Sequence, residues 1–125
     1  MVAVLPPLLS DQPPEVPKRA GFGDRFHYFR GVSGRRYLFS AVGVKELADF
    51  RSAVVMLARR APDGRVAAHA IAVLDRFGRP LDGVRPWPPI AAPGSVVLVH
   101  LLSATEAERF DLVDDLAGTA KALAA

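Results

Sequence analysis

The chain has 125 residues, half of them hydrophobic, and no cysteine; this suits one domain with an ordinary core and excludes disulfides, thiolate nucleophiles and cysteine-held metals. Its formal net charge of +3 is unevenly spread, residues 18–85 carrying fourteen Lys/Arg against six Asp/Glu and residues 100–125 two against five. A basic body attracts nucleic acid or an acidic partner, although thirteen of the cations are arginine, an excess that GC-rich coding also produces.

Residues 1–21 read as a Pro-rich extended arm. Pro6, Pro7, Pro13, Pro14 and Pro17 remove backbone donors and fix φ, which disfavours a helix or a central strand. Val2, Val4, Leu5, Leu8 and Leu9 are apolar enough for the arm to dock on the domain's own surface or on a partner. The apolar start lacks a basic leader and falls short of the about 20 residues needed to span a bilayer, so a cytoplasmic protein without a membrane partner is expected.

Residues 22–125 read as a single α+β domain. From Arg25 to Val42 the strand formers Phe26, Tyr28, Tyr37, Leu38 and Phe39 flank the reversal Gly31-Val32-Ser33-Gly34, which predicts a hairpin. Residues 44–51 predict a turn or helical connector. A second hairpin is expected from Ala53–Arg60 and Val66–Asp75 around Pro62-Asp63-Gly64, where proline presets φ and glycine permits φ > 0. Eight Gly and Pro residues break up residues 76–94, which read as a loop. The apolar run Ser95–Leu102 suits a buried central strand.

The chain closes on a helix, expected over 104–123. Ser103-Ala104-Thr105-Glu106 has the pattern of a capping box. Phe110, Val113, Ala117 and Ala120 then fall at helical spacing, with Glu108, Asp111 and Asp115 directed toward water. The expected fold class is therefore α+β: a small, mainly antiparallel sheet, an N-terminal β-hairpin alongside it, and a C-terminal amphipathic helix.

Few residues suggest chemistry. His27, His69 and His100 all lie in predicted strands, and each suits a half-buried strand position better than a metal site. Ser33 and Ser95 sit near glycines without a nucleophile elbow. Gly21-Phe22-Gly23 precedes a strand rather than a helix, so it is no phosphate cradle. The first hairpin interleaves Phe26, Tyr28, Phe29, Tyr37 and Phe39 with Arg25, Arg30, Arg35 and Arg36. Such a pattern serves single-stranded nucleic acid as a stacking platform, or it is core with solvating arginines at the tip. Trp87, within Arg85-Pro86-Trp87-Pro88-Pro89, suits an interface anchor or a clamp holding a loop on the sheet.

Phe26-His27-Tyr28, Gly31-Val32-Ser33-Gly34, Tyr37-Leu38-Phe39, the strand Ala53–Arg60 with its Asp63-Gly64 turn, the strands at 70–74 and 96–102, and a helix bearing Arg109 and Asp115-Leu116 follow one another in an order that resembles small bacterial GIY-YIG-type domains over residues 22–118. That family hydrolyses phosphodiesters with a water-activating tyrosine, a phosphate-steadying arginine and a metal-binding glutamate. The resemblance places Gly-Ile-Tyr on Ala53-Val54-Val55 and Tyr-Ile-Gly on Ala70-Ile71-Ala72. The arginine falls at Pro80, beside Arg79, and the glutamate at Val113, beside Asp114 and Asp115. Valine and alanine exchange no proton and hold no Mg²⁺, and Asp115 is rotated about 200° from Val113 on a helix.

The resemblance therefore implies a catalytically inactive scaffold acting as a binding or regulatory module, with no cofactor or metal. Its contact surfaces would be the arm, the aromatic-basic hairpin and the Trp87 loop, and its partner a protein or nucleic acid. The alternatives are a non-cleaving nucleic-acid-binding protein and an enzyme, either a residual metal-dependent nuclease or an unrelated hydrolase. An enzyme requires Asp75, Asp114 or Asp115 to converge with a histidine in one pocket. Oligomeric state is left open.

Overall fold

A computed structural model describes residues 2–11, 25–80 and 94–124. Strands β1 (Val2–Leu9), β2 (Phe26–Arg30), β3 (Arg36–Val42), β4 (Val54–Arg60), β5 (Val66–Val73) and β6 (Ser95–His100) form one sheet, followed by helix α1 (Glu106–Ala124). The order across the sheet is β1-β5-β4-β6-β3-β2, and every pairing is antiparallel. The fold is thus α+β. The first hairpin is not beside the sheet but within it, because β3 pairs with β6 through Ser40–Val99 and Val42–Val97.

Sequence chemistry sets the strand positions. β6 is apolar on both sides and lies between β4 and β3, where both of its faces are covered. β1 takes an edge of the sheet, where proline is tolerated. Its register with β5 shifts between Val4 and Leu8, so Pro6 and Pro7 fall in an irregular stretch that does not need their missing N–H groups. Leu5 and Leu8 are nonetheless buried, so this part of the apolar start docks on its own domain. Both hairpin turns place a glycine at positive φ, Gly34 at 90° and Gly64 at 88°.

The sheet curls until its two edges approach each other. Ser10, just past β1, exchanges backbone and side-chain bonds with Val66 at 2.9 Å. The next residue, Asp11, donates its N–H to the Tyr28 carbonyl on the opposite edge strand at 2.8 Å. Helix α1 packs against β1, β5 and β2, beside this closure.

Strand alternation divides the apolar residues between the two faces. Phe29, Phe39, Val54, Met56, Ile71, Val73 and Leu98 meet Leu112, Val113, Leu116 and Ala120 of the helix. On the other face Val55, Val97 and Val99 pack with Leu47, Ala53 and Leu74, Leu47 coming from a short 3₁₀ turn at Glu46–Asp49. The helix core is rotated from the expected stripe: Leu112 and Leu116 are buried, whereas Phe110 and Ala117 only flank the cluster.

The capping box is also shifted. Thr105 Oγ1 accepts the Glu108 N–H at 3.1 Å, and the Glu108 carboxylate accepts the Ala104 N–H at 2.8 Å. Thr105 and Glu108 therefore replace Ser103 and Glu106 as the pair, and the helix begins at Glu106. Ser103 is engaged elsewhere, by His100.

Among the described residues, no helix is long and apolar enough to cross a membrane.

Candidate functional site

Among the described residues, a dense polar constellation lies where the tip of the first hairpin meets α1. Gly31 to Arg35 close a tight reversal, with Gly31 N–H donating to Arg35 O at 2.8 Å and Gly34 N–H to Gly31 O at 3.0 Å. The tip rests on Asp115. One carboxylate oxygen, Oδ1, accepts the Ser33 N–H at 2.8 Å. The other, Oδ2, accepts the Ser33 hydroxyl at 2.6 Å and the Tyr37 hydroxyl at 2.7 Å. The Asp115 carbonyl also accepts the Val32 N–H at 3.1 Å. Asp115, expected to face water, instead fastens the hairpin to the helix.

Two glycines permit this approach. A Cβ on Gly31 would overlap the Asp115 carboxylate, and one on Gly118 would come within 3.1 Å of the Val32 side chain. Around the contact is an open hollow of about 410 Å³ lined by Val32, Ser33, Arg35, Tyr37, Asp111, Asp114 and Asp115.

The acid–base properties follow from these bonds. Burial opposes the charged form of Asp115, but the Ser33 hydroxyl, the Tyr37 hydroxyl, the Ser33 N–H and the Arg35 charge together outweigh it. The carboxyl is held below the usual carboxylate range. Burial, followed by the bond to Asp115 and its negative charge, pushes the Tyr37 phenol up. A serine hydroxyl on a carboxylate has the outline of a nucleophile–base pair. Here the base has lost basicity to its other two donors, so the arrangement positions Ser33 without activating it.

No imidazole completes the set. His100 is buried at 5 % exposure and packs against Tyr37 in a T-shaped contact and against Phe39 in a tilted one. Its Nδ1 lies 2.8 Å from Leu38 O and its Nε2 3.0 Å from Ser103 Oγ. A carbonyl only accepts, so Nδ1 carries the proton and Nε2 accepts from the serine. Both nitrogens serve the fold. Arg109, also buried, donates to Ser103 O at 3.1 Å. Asp75 caps its own turn by accepting from Phe77 N–H and Arg79 N–H, while Asp114 and Asp115 line the hollow. Among the described residues, no group of three or more His, Asp or Glu is placed to hold a metal ion.

The residues of the aromatic-basic hairpin separate. Phe29 and Phe39 are core, in edge-to-face contact at 5.5 Å. Tyr37 turns to Asp115. Tyr28, Arg30 and Arg36 share the face opposite the helix: Arg30 pairs with Arg36 and Tyr28 with Leu38 across the strands. The Arg36 guanidinium lies 4.3 Å over the Tyr28 ring and 3.1 Å from Asp11, which also sits 3.7 Å from Arg30. Arg25 approaches the Phe26 ring at 5.8 Å, and Arg35 lines the hollow. Trp87 lies outside the described residues.

The positions singled out by the family resemblance do not form a cleft. Val55 pairs with Ala72, and Ala70 with Leu57; Val55, Ala70 and Ala72 are buried. Val55 packs in the cluster around Leu47 and Val113 in the cluster under the helix, on opposite faces of the sheet. Arg79 is exposed in the turn after β5. The Asp115 site was missed because its partners are far apart in sequence; Gly31 was a usable signal, since a glycine at a hairpin tip also permits close approach by another element.

Compared with known proteins, the chain matches no family model, no curated protein and no solved structure.

Proposed function

We propose that this chain is a non-catalytic binding or regulatory module on a GIY-YIG-like scaffold. The observation that carries the reading is the commitment of both Asp115 oxygens to the hairpin tip, which leaves this hydroxyl–carboxylate constellation a structural latch. Scaffold kinship draws support from β4 and β5, neighbouring strands that hold the two motif positions in register. Residual nuclease activity is disfavoured by the separation of Val55 and Val113 onto opposite faces: a glutamate at the second would not meet a tyrosine at the first.

The nucleic-acid alternative has less support. Two of the five hairpin aromatics are core, Tyr37 bonds the helix, and Arg36 covers a face of Tyr28. Bases need bare ring faces to stack.

The test is incubation of the purified protein with single- and double-stranded DNA and RNA in Mg²⁺ or Mn²⁺. Intact nucleic acid is expected; divalent-dependent cleavage that follows the protein through purification would end the reading.

A further inference from the structure

Resting on that proposal, we infer that the outer face of the first hairpin docks an acidic protein segment. The face is built by alternation: Phe26, Tyr28 and Arg30 of β2 stand beside Ser40, Leu38 and Arg36 of β3. β6 continues it with Val97 and Val99, and Leu101 follows just past the end of β6. Phe26 is 40 % exposed and Leu101 56 % exposed. Val97 and Val99 are covered by the cluster around Leu47, so Phe26 and Leu101 are the apolar side chains exposed on this side of the hairpin that carries Arg25, Arg30 and Arg36.

This composition favours a protein partner. Arginine and aromatic side chains are the residues enriched at protein interfaces, and rigid guanidinium forks match carboxylates in bidentate geometry. Asp11 offsets part of the positive charge while its bond to Arg36 at 3.1 Å holds that guanidinium over the Tyr28 ring, so the arginine is pre-oriented at little entropic cost. Phosphate backbones are served poorly here, because the exposed Phe26 and Leu101 have no phosphate to contact. A carboxylate-rich segment carrying an apolar side chain satisfies both parts of the face.

The experiment measures fluorescence anisotropy of an Asp/Glu-rich peptide with a central leucine, against a single-stranded oligonucleotide of equal charge, using the full chain. The peptide is expected to bind more tightly than the oligonucleotide. The double variant Arg25→Glu, Arg30→Glu should weaken peptide binding by about tenfold or more and gain affinity for the matching Lys-rich peptide. That exchange requires a folded protein and separates lost charge from lost structure. Tighter oligonucleotide binding, absence of peptide binding, or equal affinity in wild type and variant would each overturn the inference. None of these would touch the non-catalytic reading, which fails only on cleavage.

Discussion

Replacing Asp115 by alanine removes three hydrogen bonds to a charged acceptor. The bond from Tyr37 is partly buried and contributes about 1.5 kcal/mol, at the lower end for a charged acceptor. The two from Ser33 lie at an exposed tip and contribute about 0.5–1 kcal/mol each, because water replaces them readily. Alanine returns about 0.5 kcal/mol through its higher helix propensity. The net loss is about 2–3 kcal/mol, which for a chain of this length lowers Tm by about 10 °C. Calorimetry on Asp115→Ala, Tyr37→Phe and the double variant reads both the loss and the pairwise coupling, expected at about 1 kcal/mol. A Tm shift below about 3 °C with coupling near zero would refute the latch, because neighbours that share a bond cannot be additive.

Gly31→Ala should cost about as much as Asp115→Ala, since the new methyl overlaps the carboxylate; in the Asp115→Ala background it should cost much less, a non-additivity that urea unfolding resolves. Val113→Glu, which restores the family's metal-binding carboxylate, should lower stability by roughly 3 kcal/mol or more because Val113 is buried in an apolar cluster. It should yield no divalent-dependent cleavage.

The strands were legible because their signals are local. Alternation and turn glycines mark both hairpins, and the apolar run at Ser95–His100 marks the central strand. β1 was concealed by Pro6 and Pro7, which oppose a central strand but fit an irregular edge. The helix was legible, its phase less so: Ser103 and Thr105 can both cap, and the choice depends on His100 drawing Ser103 away. Helix rotation correctly separates Asp115 from Val113. What lies on the Asp115 side is decided by the curl of the sheet, a tertiary property that brings residue 33 to residue 115. In the basic hairpin, which aromatics became core depended on the faces that β2 and β3 present to the helix.

The account turns on the Asp115 carboxylate being a structural acceptor rather than a working base, and carbon-detected NMR titration of that carboxyl tests it most directly. A folded-state pKa below the unfolded value means that the latch is fully formed above about pH 4 and is lost as pH falls through the folded pKa. Tyr37 behaves in the opposite sense: its contribution is full below about pH 10 and is lost as pH rises through its elevated value. The predicted result is an Asp115 midpoint below the ordinary carboxylate value that moves up in Tyr37→Phe. A midpoint at or above the ordinary value, unmoved by that substitution, would contradict the account and return Ser33 and Asp115 to consideration as a nucleophile and its base.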